Sequence, residues 1–350
     1  MNATAWMILL SLLFVSNPGH AGDERWRAVS ILGSDVRPGT KAQLSFLQES
    51  SYLKDAIDIP VLVMRGTKPG PTLCLTAAVH GDEVNGVEVA RSVFNGTEVD
   101  GLSGTLIAIP MMNVWGFRSE NRYLADRRDL NRAFPGSPSG SAASRIAYHV
   151  FEEVIRHCDY LVDLHTGSNA RTNLPQIRVD IENAVAFELA RYFDVGIVLG
   201  GAGPKGSLRR TATDAGVPAI IYEAGGPNRF EAAEIARGIE GVTNVMEHLD
   251  MVGAEPPTPD PQRVYRSTTW VRANGGGIFL SERTPGEHVR EGDLLGDITD
   301  PVTSERREVR APFAATLIGM AHPQVVLPGD ALFHLAKNEA GPTEPFDHDE

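Results

Sequence analysis

Apolar and polar positions divide the chain into regions with different periods. Between residues 73 and 248, short apolar runs alternate with longer segments whose apolar residues recur at helical spacing. The runs 73–79, 105–110, 160–164, 195–199 and 219–222 predict strands. The segments 84–94, 142–157, 182–192, 208–215 and 230–248 predict helices. Such alternation predicts an α/β fold, a mainly parallel mixed sheet flanked by helices. Upstream, 30–65 shows short runs broken by Gly33, Pro38-Gly39 and 58–60, as expected of a few antiparallel strands. Downstream, 254–262 is proline-rich and reads as a semi-rigid linker. Residues 263–337 return to short alternating runs punctuated by Gly275–Gly277, Pro285-Gly286 and Pro328-Gly329, predicting a small C-terminal all-β domain. The acidic stretch 338–350 is expected to be disordered.

The N-terminus changes this picture at one point. An apolar run over 5–15 is followed by Asn17-Pro18-Gly19 and small residues before acidic Asp23-Glu24. This is the form of a signal peptide over 1–21, although its first residues contain no Lys or Arg. The run is short for a bilayer span. The expectation is an exported protein, periplasmic or secreted, with no stable membrane insertion after cleavage and a catalytic domain over 22–253. A net charge of −13 and a pI near 5.3 argue against a polyanion-binding surface, so no nucleic-acid partner is expected. Cys74 and Cys158 each lie in or beside an apolar run and are expected to be two buried thiols acting as small apolar residues. The sequence does not fix an oligomeric state.

Candidate chemistry gathers at predicted strand ends. The run 73–79 closes on His80-Gly81-Asp82-Glu83, and the run 160–164 closes on His165-Thr166-Gly167. Open α/β sheets place ligands at the C-terminal ends of strands. Two imidazoles and a carboxylate arriving there form a His₂Glu set that leaves one coordination position of a catalytic zinc open. Asp163 shares a strand face with His165 and either orients that ligand or closes the strand end by hydrogen bonding. Glu223, at the tip of 219–222 and before Ala224-Gly225-Gly226, is the candidate proton carrier. The segment 118–132 holds five arginines in an otherwise acidic chain, and a guanidinium fork suits a carboxylate or a developing oxyanion. Within it, Asn131-Arg132 beside Ala133-Phe134-Pro135-Gly136 reads as positioned, whereas Arg127 and Arg128 read as structural or solvent-facing.

The ordered motifs His-Gly-Asp-Glu, Asp-Leu-Asn-Arg-x-Phe-Pro-Gly, Asp-Leu-His-Thr-Gly and Glu-x-Gly-Gly resemble those of the succinylglutamate desuccinylase/aspartoacylase family, zinc deacylases related to the M14 carboxypeptidases. The resemblance spans about 30–337 and implies a carboxypeptidase-like fold with one Zn²⁺ per chain. It implies that His80, Glu83 and His165 are zinc ligands and Glu223 the acid/base. Asn131 and Arg132 would grip the α-carboxylate of an acylated amino acid, Arg122 would polarise the scissile carbonyl, and Arg178 would contact a second carboxylate. The chain departs from the pattern at Met112-Asn113-Val114, where many relatives read Asn-Pro. In the C-terminal region, Val289–Asp293 and Leu327–Asp330 resemble the two halves of a biotinyl/lipoyl hammerhead barrel, but the turn Met320-Ala321-His322 lacks the carrier lysine.

The expected function is zinc-dependent hydrolysis of the amide bond of an N-acyl amino acid or similar small carboxylate-bearing amide. Its rivals are an exported carboxypeptidase-like metallopeptidase and a catalytically silent binding protein for acidic metabolites. The sequence leaves the acyl group and the amino acid open.

Overall fold

The structure, a computed structural model, describes residues 26–48, 57–253, 255 and 257–337. The signal-like segment and the acidic tail lie outside these residues. The N-terminal strands are β1 (Val29–Ile31), β2 (Ser34–Val36), β3 (Thr40–Gln48) and β4 (Ile57–Arg65). Next come β5 (Lys68–Ala77), β6 (Ser103–Ile109), β7 (Tyr160–His165), β8 (Arg171–Val179), β9 (Ile197–Gly200) and β10 (Ala219–Gly225). Six helices follow the same order: α1 (Asn85–Gly96), α2 (Val114–Arg118), α3 (Ala142–Glu153), α4 (Ala184–Phe193), α5 (Leu208–Asp214) and α6 (Ala232–His248).

The centre of the sheet, in the order β6-β5-β7-β10, is parallel, and antiparallel strands flank it on both sides. Alternate residues of β5 show why this centre is apolar throughout. Leu73, Leu75 and Ala77 pack with α1, α4 and α6, whereas Cys74 points to the opposite core with α3 and α5. A parallel strand covered by helices on both faces has no solvated side, so its sequence reads as a continuous apolar run. The predicted α/β class holds, with the helix α2 and the strand β8 added to the predicted elements.

Three details differ from expectation. The predicted helix 142–157 ends at Glu153, because Val154 leaves helical geometry (φ −127°, ψ −60°) before a 3₁₀ turn at Ile155–His157. The strand β8 has no predicted counterpart. It contains Pro175, which cannot donate a ladder hydrogen bond, and the β8–β10 register shifts opposite it, between Glu223 and Gly225. Cys74 and Cys158 are not free thiols: they form a disulfide with a Cα–Cα separation of 5.9 Å. The bridge ties β5 to the start of β7, its parallel neighbour in the sheet.

The C-terminal region supplies β11 (Arg263–Tyr265), β12 (Thr268–Arg272), β13 (Gly277–Ser281), β14 (His288–Val289) and β15 (Leu294–Thr299). It ends with β16 (Arg306–Arg310), β17 (Ala315–Ala321), β18 (Gln324–Val326) and β19 (Ala331–Lys337). This all-β region is continuous with the main sheet. β17 pairs with β8 through Gly319↔Asn173, Met320↔Thr172 and Ala321↔Arg171, and β11 pairs with β9. A separate four-stranded sheet, β16-β15-β13-β18, closes its far side around Phe279 and Phe333. Among the described residues no helix is long and apolar enough to cross a membrane.

Candidate active site

The parallel strands β5, β7 and β10 end at one rim of the sheet, and their last residues meet there. His165 is the final residue of β7 and lies opposite Glu223 of β10 in the parallel register. β5 stops at Ala77, and a tight turn carries His80 and Glu83 over the same rim. Gly81 is required in that turn: a Cβ there would lie 2.0 Å from the backbone carbon of Gly116, so the chain passes too close for any side chain.

His80, Glu83 and His165 are all buried, and each offers a ligand atom within 4.8 Å of the others. The donor geometry is specific. Nδ1 of His80 lies 2.7 Å from Glu83 Oε1, and Nδ1 of His165 lies 2.7 Å from Glu83 Oε2. The Nε2 atoms point away, to Asp129 at 3.1 Å and Asp163 at 2.8 Å. Each imidazole thus presents Nδ1 inward while a carboxylate fixes the ring from behind, as in metal-ligating histidines. Burial opposes ionisation of Glu83, but His80 and then His165 hold its carboxyl well below the usual range. Burial likewise works against the His165 cation, yet Asp163 and then Glu83 raise its pKa well above the ordinary value. Two buried carboxylates, Glu83 and Asp163, and half-buried Asp129 around two imidazoles make a cluster that attracts positive charge, and its N and O donors suit a divalent ion such as zinc.

Asp163 is fully buried, accepting from Thr76 Oγ1 at 2.7 Å as well as bonding His165. Asp163→Asn is expected to weaken metal affinity roughly 10–100-fold, because the amide can no longer hold the ring as a charged acceptor. Titration against a chelator of known affinity measures this. Asp129→Asn, at the less buried partner of His80, is expected to shift affinity in the same direction. Unchanged affinity in both variants would remove the orienting role.

The other sequence candidates surround this cluster. Arg122 bridges Asp129 (Nη2 to Oδ2, 2.9 Å) and Glu83 (Nη1 to Oε1, 3.4 Å), which aims its guanidinium across the donor set. Glu223 accepts from Asn173 Nδ2 at 2.6 Å and is ion-paired with Arg178 Nη1 at 3.2 Å, so both its oxygens are held from β8. Arg178, expected to meet substrate, lines the cleft and is also in contact with Glu223. Asn131 Oδ1 accepts from the Leu208 N–H at 2.8 Å, joining its loop to α5, and Arg132 donates to the Asn131 carbonyl at 2.6 Å. Arg127 and Arg128 are exposed and do not line the cleft.

The three donors border one cleft of about 420 Å³ together with Arg122, Asn131, Arg132, Arg178 and Glu223. Asp129, Asn173, Arg209 and Trp270 also line it, and the sequence reading assigned them no role. Asp129 stands inside the Asp-Leu-Asn-Arg motif, the one sequence signal that marked it. Trp270 arrives from β12 of the C-terminal region, stacked on buried His334 with ring centroids 4.4 Å apart. Arg122, Arg132, Arg171, Arg178, Arg209 and Arg272 line the cleft with Glu83, Asp129 and Glu223, so guanidinium groups outnumber carboxylates there.

Comparison with known proteins agrees with this geometry. Residues 69–249 match the family model of the succinylglutamate desuccinylase/aspartoacylase catalytic domain. Over 301 residues the chain is 27% identical to the N-alpha-acetyl-L-2,4-diaminobutyric acid deacetylase of Halomonas elongata, covering 81% of this chain and 86% of that protein. The product-bound ectoine utilization protein EutE (DoeB) from Ruegeria pomeroyi superposes with a TM-score of 0.80 at 25% identity, over 86% of this chain and 96% of that one. A succinylglutamate desuccinylase from Silicibacter sp. superposes with a TM-score of 0.77 at 26% identity, over 85% and 95% of the two chains. The chain belongs to the succinylglutamate desuccinylase/aspartoacylase family of amide-hydrolysing enzymes.

Proposed function

We propose that this protein is a zinc-dependent deacylase that hydrolyses the amide bond of a small N-acyl amino acid. The observation that carries the reading is the register of β7 and β10, which sets Glu223 directly beside His165 at the rim where His80 and Glu83 converge. The 2,4-diaminobutyric acid deacetylase activity named for the Halomonas relative supports the same reaction class.

His80 Nδ1, His165 Nδ1 and the Glu83 carboxylate would hold the ion. A zinc ion bound there supplies Lewis acidity to a water and to the scissile carbonyl. Glu223 receives the proton that the attacking water gives up and returns it to the departing amine. Asn173 and Arg178 fix the carboxylate of Glu223 so that its orientation survives both transfers. Arg122, oriented by Asp129, donates to the carbonyl oxygen as negative charge develops on it. Arg132, on the loop that Asn131 joins to α5, takes the substrate carboxylate and sets the amide against the water. We further infer export, supported by the Cys74–Cys158 disulfide, a bond typical of oxidising compartments.

Chelation of the purified protein is expected to abolish hydrolysis of N-acyl amino acids, and zinc at one ion per chain to restore it. Elemental analysis follows the metal, and a parallel series of C-terminal peptides tests the peptidase alternative. Undiminished turnover by metal-free protein would sink the proposal. Faster turnover of the peptides would replace it with the peptidase reading.

A further inference from the structure

We propose that Arg229 and His322 are positioning residues for Glu223: together with Glu231 they clasp the bend that follows it to the turn between β17 and β18, and protonation of His322 releases that clasp. The inference rests on the deacylase reading for the role of Glu223, and goes beyond it to how the C-terminal region acts on the reaction.

The bend after Glu223 is gripped from outside β10 at three successive residues. Ala224 O accepts from Asn85 Nδ2 at 3.2 Å, Gly225 O accepts from the Gly167 N–H at 2.9 Å, and the Gly226 N–H donates to Glu231 Oε2 at 2.8 Å. Glu231 in turn donates its own N–H to Asn85 Oδ1 at 2.9 Å, which seats it beside the start of α1. The two glycines of the Glu-x-Gly-Gly motif leave the space for this arrangement. Gly225 adopts φ +77°, and a Cβ there would overlap the Glu231 carboxylate. A Cβ on Gly226 would stand 2.7 Å from Arg229 Nη2.

Arg229 carries the grip on to the C-terminal region. Its Nε pairs with Glu231 Oε1 at 3.0 Å, and its Nη2 lies 2.9 Å from His322 Nε2. A guanidinium only donates, so Nε2 is the accepting nitrogen and His322 is uncharged, with its proton on Nδ1. The His322 N–H donates to Ala170 O at 2.8 Å, which fixes the turn at the entry to β8. This is the turn that lacks a carrier lysine; it presents an imidazole acceptor in that place. The charged groups acting on His322 are Arg229 and Glu231, whereas β8 and Gly226 meet it through backbone. Burial and then Arg229 lower its pKa, against a smaller opposing pull from Glu231. The clasp is therefore intact above the ordinary imidazole value of about 6.5 and weakens as pH falls below it. An imidazolium would set an N–H against the Arg229 donor and a second positive charge beside it. Glu223 lies on the same bend, so release moves its carboxylate away from the water it serves and costs rate more than binding.

The test records kcat and KM for N-acetyl amino acids across the neutral and acidic range in the zinc-loaded parent, His322→Ala and His322→Gln. All three carry the same metal ligands, so any acid loss from ligand protonation is common to them. Alanine offers Arg229 no acceptor, and His322→Ala is expected to lower kcat about fivefold at neutral pH with KM little changed, the rate equivalent of one lost hydrogen bond. Glutamine offers a carbonyl oxygen that accepts at any pH. His322→Gln should recover most of the kcat lost in the alanine variant and keep more of it than the parent below about pH 6. Parental kcat in His322→Ala, or an acid limb in His322→Gln that coincides with the parent's, overturns the proposal. Histidine NMR gives a readout independent of turnover, with the His322 resonance identified by its absence in His322→Gln. Its titration is expected to move to higher pH in Arg229→Gln, and a titration that stays in place overturns the clasp. A shifted titration in a protein that hydrolyses none of the N-acyl amino acids would support the clasp while refuting the deacylase reading.

Discussion

Glutamine in place of Glu223 is expected to lower kcat by about 10²–10⁴-fold, the usual contribution of a positioned proton carrier, with Tm and metal content unchanged. The amide matches the carboxylate in size and can still accept from Asn173, which bonds Oε2 at 2.6 Å, so the local packing is preserved. It cannot take a proton from water. The ion pair with Arg178 at 3.2 Å is lost as well, but that contact orients Glu223 and does not anchor the strand. β10 is held by its ladders to β7 and β8 on both sides. Single-turnover kinetics on zinc-loaded protein separates the chemical step from product release. Near-normal kcat in that preparation would falsify the assignment of Glu223 as acid/base.

Removal of the disulfide is expected to have the second largest effect, on stability. The bridge closes a separation of 84 residues between Cys74 and Cys158. Chain entropy alone gives roughly 4–5 kcal/mol for a loop of this size, and measured losses of native disulfides run about 2–5 kcal/mol. In a chain this long that corresponds to a fall in Tm of roughly 3–8 °C. The paired variant Cys74→Ala with Cys158→Ala removes little volume, so the change reports the crosslink more than a cavity. β5 and β7 carry the turn of His80 and Glu83 and the His165 terminus respectively, so the variant should also exchange metal faster than the parent. Scanning calorimetry with and without reductant checks this. A parent whose Tm is indifferent to reduction, matching the variant, would show that the bond adds no stability.

The parts of the site legible in the sequence are those that strand ends deliver. His80, His165 and Glu223 each follow an apolar run, and a parallel sheet brings such ends to one rim whatever the strand order. The strand order itself was not legible. β7 lies beside β5 although β6 intervenes in the chain, and only that adjacency brings Cys158 within 5.9 Å of Cys74. Asp129 sits in a loop with no period to reveal it, and its contact with His80 spans 49 residues. β8 escaped because Pro175 interrupts its pattern, yet it provides Asn173 and Arg178, both bound to Glu223. Arg209 stood in an ordinary Arg-Arg pair on a short helix, where solvent exposure is the usual outcome. Only the three-dimensional packing shows one of the two turned inward.

The ladder between β17 and β8 limits how this protein can be cut or recombined. Ending the chain near the proline-rich segment at 254–262 would strip hydrogen-bond partners from Arg171–Asn173 and leave a raw edge next to the residue that holds Glu223. Trp270 would go with it, opening the far wall of the cleft. A shortened gene product of this kind should be sticky and inactive together, so the C-terminal third cannot be exchanged among relatives as a cassette unless β8 is redesigned with it.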